Sequence, residues 1–545
     1  MSRGRGALLR RGAGLVATVG LVVGTAGCGG GSSEASSSGG TPRSGGTLTY
    51  GSVQQPSCLD PGFAPDTATG MIDRNIFDSL VSIGANGAAQ PWLATSWTVS
   101  PDGRSYTFQL RPGVTFQDGT PFTADAVKAT LDHVVDPKTK SLNAAALLSA
   151  YQSATPLGAD SVRVDLKQPD AAFLEALGTS NLGIQSLASL AAGPCQHPVG
   201  TGPFSFVSWT PNKDLSLKRN AAYQWSPPGT AHSGPAYLDG IQYQFVSDDA
   251  ARYGALTSGQ LDVIENFPAA DVKALKAAGT AQFFKTNSPG QVYGLRLNTS
   301  SGPFADEKVR LAFARSLDVN GLVDSVYFGQ YERAWSPLTP ATHGYDATLE
   351  NSWPQDVAQA NSLLDQAGWT GHDAQGYRTK DGKRLTVYWR TGAQLDRDQR
   401  GTLAQGIQAD AKKTGFDLQY VTEDTGTFAK NIMSGNLDIW GGSNQRAEPD
   451  VLRTSFASYE TLLKGGGNIF GLKDATLDGW LDEADATSDW AVRAKDYASA
   501  QGYVVQHGLE VPILVPANLL GAGKKVHGLT FGTSSSLRFY DIWLG

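Results

Sequence analysis

Apolar positions along this chain recur at two periods, two and 3.6, and the period changes often. Residues 47–53 (TLTYGSV) alternate and predict a first strand, and residues 72–81 (IDRNIFDSLV) predict a helix. Tyr106, Phe108 and Leu110 alternate, Arg111-Pro112-Gly113 turns, and Val114 and Phe116 resume, so a hairpin is expected. Thr123 stands at a cap position before Val127, Leu131 and Val134 on one helical face, and Pro137 stops the run. Val162, Val164 and Leu166 predict another strand. Residues 97–170 therefore read as a compact unit of strands plus a helix.

Further on, residues 241–246 predict a strand, a helix runs from about Asp248 to Gly259, and residues 261–264 predict a strand again. A strand–helix–strand unit implies parallel pairing. The second half repeats this grammar. Asp306 precedes a helix carrying Val309, Phe313 and Leu317, and Asp318 precedes the next, with Leu322 and Val326. Pro354 is expected to open a third helix that closes near Gly368. Residues 384–389 predict a strand, a long helix ends near Gly415, and Phe416, Leu418 and Tyr420 alternate. A helix near 426–434 then leads to a strand at 437–440. The pattern is α/β architecture built at least twice, without a fixed-period repeat.

The first 46 residues break this pattern. Arg3, Arg5, Arg10 and Arg11 precede an apolar run from Leu15 to Ala26, then small residues, then Cys28. This is the order of a secretory signal, here residues 1–27, with a cysteine where bacterial lipoproteins carry their acylated residue. Thr25 stands where such signals usually carry Leu, and the Arg10-Arg11 pair leaves a twin-arginine route open. The run is about 12 residues, short of the ~20 that a spanning helix needs. Residues 28–46 are mostly Gly and Ser, a flexible tether. The expectation is an exported body, lipidated at Cys28 and leashed to the outer face of a membrane.

Composition narrows the class. A body of roughly 500 residues exceeds one hydrophobic core, so two or three domains are expected. Removing residues 1–27 takes four arginines and no acid, so 44 − 4 = 40 basic residues face 51 acidic ones, a net −11. That balance argues against nucleic acid as partner. Two cysteines remain after Cys28, and in an exported protein Cys58 and Cys195 are expected to form a disulfide. The alternative is two separately buried thiols. No HExxH, GxSxG or P-loop occurs, and His133, His197, His232, His343, His372, His507 and His527 are scattered. No catalytic set, cofactor or metal is expected, and no motif supports an enzyme.

Five ordered segments carry a resemblance: 96–135, 199–209 (VGTGPFSFVSW), 295–328, 354–369 (PQDVAQANSLLDQAGW) and 435–450 (GNLDIWGGSNQRAEPD). Together they resemble the family-5 extracellular solute-binding proteins, the peptide and nickel receptors of ABC importers. The resemblance implies a two-lobed fold of the periplasmic-binding-protein type, class II, with a small extra α/β domain on the first lobe. The implied pieces are 47–85, 200–290 and 515–545 for lobe I, 86–199 for the extra domain and 291–514 for lobe II. It implies a monomer that captures a small solute, an oligopeptide first of all, for the permease subunits. A lipid anchor suits a Gram-positive member, which has no outer membrane to retain a free receptor. Rival readings are an oligosaccharide or opine-like ligand, a surface signalling or adhesion protein, and a secreted hydrolase.

Peptide receptors of this family commonly hold the ligand carboxylate with an arginine on the strand matching 384–390, which puts Arg390 at that position. They commonly hold the α-amine with an aspartate just after the segment matching 437–442. Here that position falls on Asn444 or Gln445, and neither carries charge. Trp440 and Trp389 are expected either to stack on a ligand or to sit in the core. Arg446 contacts a ligand anion or caps its loop. Gln54 and Gln55, just after the first strand, are further cleft candidates.

Overall fold

The computed structural model describes residues 40–545 except 64–66, 85–86, 142, 396–397 and 463–465. The signal, Cys28 and most of the tether lie outside the described residues.

Two mixed sheets organise the body. The first has seven strands in the order Ala281–Asn287, Ala517–Gly523, Val263–Ile264, Thr47–Ser52, Gly240–Phe245, Asp214–Arg219, Phe204–Thr210. Thr47–Ser52 lies near its centre and runs parallel to both Gly240–Phe245 and Val263–Ile264. The expected strand–helix–strand unit thus aligns in parallel, with the first strand of the body inserted between its two strands. Leu48 and Tyr50 enter the core from this strand. Asp248 caps the intervening helix Asp249–Thr257 by accepting from the Ala251 N–H.

The second sheet has six strands in the order Glu332–Arg333, Glu510–Val515, Tyr293–Leu297, Ile439–Gly442, Thr386–Gly392, Asp417–Glu423. Helices Glu307–Ser316, Val319–Tyr327 and Arg400–Lys413 bury Val309, Phe313, Val323, Leu403 and Ile407 in its own core. Asp306 and Asp318 cap the first two, accepting from Lys308 N and Gly321 N. The core of this lobe is distinct from that of the first.

A four-stranded antiparallel sheet, Ala94–Val99, Ser105–Leu110, Ser161–Leu166 and Tyr151–Pro156, packs with helix Ala124–Val135. Val127, Leu131 and Val134 are buried, and this core merges with that of the first lobe. The molecule is a two-lobed α/β protein with a small sheet-and-helix unit sharing the core of one lobe.

Several elements differ from their pattern-based expectation. Strand Ser105–Leu110 pairs with Ala94–Val99 and Ser161–Leu166, not with residues 114–116. After the turn only Thr115 makes a bridge, to Pro121, because both edges of the strand are already taken. The helix expected over 72–81 is Thr67–Ile76, and Val81 begins a short strand. The third helix of the second lobe starts at Val357 on an Asp356 cap, and Pro354 lies before it.

The chain passes between the two large sheets twice. One passage joins Asn287 to Tyr293, and the other joins Val515 to Ala517 through Pro516. The two are tied by a hydrogen bond from Ser288 N to the Pro516 carbonyl, 2.8 Å. Gly290, at φ +101°, sits where a Cβ would lie 2.4 Å from the Asn444 carbonyl oxygen and 2.5 Å from Arg446 N. Only glycine fits this left-handed, tightly covered position.

Cys58 and Cys195 form a disulfide across a sequence separation of 137. Leu59 N donates to the Cys195 carbonyl at 3.2 Å, so the bridged segments also share a backbone bond. Closing so long a loop restricts the unfolded chain, so reduction is expected to lower unfolding free energy by about 2–5 kcal/mol. Urea melts of oxidised and reduced protein measure this. Thiol counting on denatured, unreduced protein lacking Cys28 should find none free, and two free thiols would refute the bridge.

Candidate ligand cleft

A cavity of about 120 Å³ lies between the lobes. Tyr50, Gln54 and Glu265 line it from the first lobe, and Tyr293, Tyr327, Tyr331, Asp398, Arg400 and Gln445 from the second. The positions have one logic. Gln54 follows strand Thr47–Ser52, Glu265 follows the parallel strand Val263–Ile264, and Arg400 opens the helix after Thr386–Gly392. Ligands of open α/β sheets collect at such carboxyl ends.

Charges on the two walls are held by their surroundings. Glu265 Oε1 accepts from Ser52 Oγ at 2.6 Å and Val53 N at 2.7 Å, and Oε2 accepts from the Tyr50 hydroxyl at 3.1 Å. Burial, then the Glu265 charge, push the Tyr50 phenol far above its ordinary value, so it stays a neutral donor. Opposite, the Arg400 guanidinium lies over the Tyr293 ring at 4.6 Å and donates to the Leu395 carbonyl at 3.3 Å. Asp398 stands 3.6 Å from it. Tyr327 and Tyr331 meet with ring centroids 4.6 Å apart. Burial and the neighbouring phenols raise the Tyr327 hydroxyl too. The cleft is an aromatic slot with a carboxylate on one wall and a guanidinium beside a carboxylate on the other.

Of the residues singled out from sequence, Gln54 and Gln445 line this cavity. Arg390 does not. Its Nη1 donates to Glu423 at 2.6 Å and its Nε to the Asn436 carbonyl at 2.8 Å, so its guanidinium is committed within the second lobe. Trp389 is fully buried core, edge-on to Tyr420. Trp440 packs under the Arg296 guanidinium at 5.0 Å rather than on the cavity wall. Asn444 is exposed, with its carbonyl accepting from Gln291 N at 2.7 Å. Gln55 pairs with Asn212. Arg446 faces another protein carboxylate, Glu175 of the small unit, at 3.3 Å.

Tyr50, Glu265, Asp398 and Arg400 were missed from sequence. Their signal was positional. Tyr50 lies on, and Glu265 directly follows, a strand that the period marks, whereas Asp398 and Arg400 stand at the start of the helix after one. Arg390 stands at the position that the family resemblance implies, whereas the guanidinium on the cavity wall begins the next helix.

The model for the bacterial extracellular solute-binding proteins, family 5, matches residues 88–460. The chain belongs to that family. It is a solute-binding component of ABC importers, a binding protein and not an enzyme. It is 27% identical over 525 residues to the dipeptide-binding protein of Pseudomonas aeruginosa, covering 91% of this chain and 94% of that protein. It is 28% identical over 499 residues to the glutathione-binding protein GsiB of Escherichia coli O157:H7, covering 89% and 91%. Among solved structures it resembles Helicobacter pylori DppA in complex with the peptide STSA, at 26% identity and TM-score 0.78, covering 92% and 98%. Family membership makes this protein one of the extracellular solute-binding proteins.

Beside the cleft, this chain has a second contact between the lobes. Ala171 N donates to the Asp485 carbonyl at 3.0 Å, close to the Arg446–Glu175 pair. Asp450, Arg453, Glu448 and Arg493 surround these groups, all buried. Burial raises the Asp170, Glu175 and Asp485 carboxyls, and it raises Glu448 to about 7. For Asp170 and Asp485 the Asp450 charge adds to the rise, and the surrounding arginines oppose it.

A raised carboxyl is protonated in the folded state where the unfolded chain has already lost its proton. Its contribution to stability is present below the unfolded value and fades as pH climbs through the folded value. Thermal melts are expected to show greater stability near pH 5.5 than near pH 8.5, and Asp485→Asn should flatten that slope. A slope unchanged in the variant would sink this assignment.

Proposed function

We propose that this protein is a lipid-anchored extracellular receptor that captures a peptide-like solute between its lobes and passes it to an ABC permease. The observation that carries the solute class is Arg400, a guanidinium stacked on Tyr293 and aimed along the cavity wall. A planar guanidinium in a partly dry site suits a carboxylate, which it meets with paired charge-assisted bonds. The tyrosines offer faces for flat peptide units at little entropic cost. Binding at a micromolar level requires about 8 kcal/mol net, within reach of one such ion pair plus aromatic burial. The names of the P. aeruginosa and H. pylori relatives support a peptide class. Anchoring rests on Cys28 and the Gly/Ser stretch after it.

A second reading has a specific observation behind it. Gln445, which lines the cavity, is neutral, so among the described residues the 443–446 loop offers no carboxylate for an ordinary peptide amine. An opine-like or other carboxylated non-peptide would suit it.

Native mass spectrometry on the full chain purified from its own host, followed by identification of the released molecule, separates the readings. A peptide is expected, and a released sugar would remove the reading. With the identified ligand, Arg400→Ala is expected to cost tenfold or more in affinity, about 1.5–3 kcal/mol for charge-assisted bonds. Arg390→Ala should leave affinity within about twofold, since its partner is Glu423. The reverse ranking by calorimetry would return the carboxylate to Arg390.

A further inference from the structure

The charges lining the cavity do not balance. Among the described lining residues there is one guanidinium, Arg400, and two carboxylates, Asp398 and Glu265. Asp398 already faces Arg400 at 3.6 Å. Glu265 has no lysine, arginine or histidine within ion-pair distance among the described residues. Arg252, buried nearby, spends its guanidinium on the carbonyls of Val246 and Ser247 and on the Asp249 carboxylate. Glu265 is therefore a charge held in place by hydroxyl and backbone donors alone.

Those donors also leave it capacity. Oε1 takes two hydrogen bonds, from Ser52 and Val53, whereas Oε2 takes one, from Tyr50. A carboxylate oxygen accepts two, so Oε2 keeps an open site. Three donors fix the group's orientation in advance, which lowers the cost of ordering it on binding.

We propose that Glu265 holds a cationic group of the captured solute, and that Arg400 on the opposite wall, whose 3.6 Å contact to Asp398 is longer than a hydrogen bond, takes its carboxylate. In the peptide reading, on which this rests, the cation is the α-ammonium. The wall that binds it is then the first lobe, not the 443–446 loop that carries neutral Gln445. The arrangement also supplies closure. A zwitterion gripped at both ends gains both ion pairs only when the lobes are together, and differential affinity is what shifts an open–closed equilibrium. With water excluded, each pair strengthens.

The test uses the full chain and two synthetic libraries of di- to tetrapeptides of equal composition, one with free and one with acetylated amino termini. Binding is read by calorimetry on the wild type and on Glu265→Gln. Glutamine is nearly isosteric and keeps a carbonyl oxygen for Ser52 and Val53. The free-amine library should bind the wild type at least tenfold tighter than the acetylated one, and Glu265→Gln should erase that difference. Equal binding of both libraries by the wild type, which requires no variant to fold, overturns the role of Glu265 and leaves the peptide reading intact. So does a Glu265→Gln protein that still prefers the free amine. Failure of both libraries to bind overturns the peptide reading and this assignment with it.

Discussion

Everything the cleft does depends on the chain crossing between the two large sheets only twice. The crossings at 288–292 and at Pro516 lie side by side, joined by the Ser288–Pro516 backbone bond. Two adjacent strands of chain form an axis about which lobes can turn while each lobe keeps its own core. Gly290 shows how tightly one crossing is dressed. The loop 444–446 lies directly on it, so the segment that brings Gln445 to the cavity is held to the same axis. A change of lobe angle therefore acts directly on part of the binding surface, because hinge and site share backbone.

Given that axis, the cleft needs groups whose worth rises on closure. Exposed ion pairs are weak because water and salt compete. The same groups in a closed, low-dielectric slot are worth more, provided their desolvation is offset. The offset is built in before ligand arrives. Glu265 rests on three donors, and Arg400 rests on an aromatic face beside Asp398. Neutral phenols, kept so by burial, add donors without adding charge.

The elements were more legible than the site. The alternation at 47–52, 162–166 and 417–420 and the helical faces at 127–134 and 309–313 follow from burial on one side. Local residues suffice to reveal that. What failed depended on partners distant in sequence. Residues 105–110 look like half of a hairpin, yet their neighbours come from 94–99 and 161–166. The site failed for a related reason. Arg390 lies on the strand and Arg400 opens the next helix, and it is Glu423, distant in sequence, that commits Arg390 within the lobe. Trp389 and Trp440 divide between core and guanidinium packing in the same way. Family resemblance points to the loop at 443–446, and within it Gln445, not Asn444, lines the cavity.

The buried cluster around Arg446 sets a condition on closure that the ligand alone does not. Asp170 and Glu175 come from the small unit, and Arg446, Glu448, Asp450, Arg453, Asp485 and Arg493 from the second lobe. If the lobes part, Glu175 and Arg446 lose each other and regain water. Bringing them together costs desolvation of both ions, recovered only if the geometry is good. Their 3.3 Å contact and the Ala171–Asp485 backbone bond provide that geometry. The excess of acids over arginines limits the gain, since burial favours a protonated carboxyl over an unpaired charge. Such a contact is close to neutral in free energy. It therefore fixes the register in which the lobes meet without holding them shut, and the choice between open and closed is left to whatever fills the cavity.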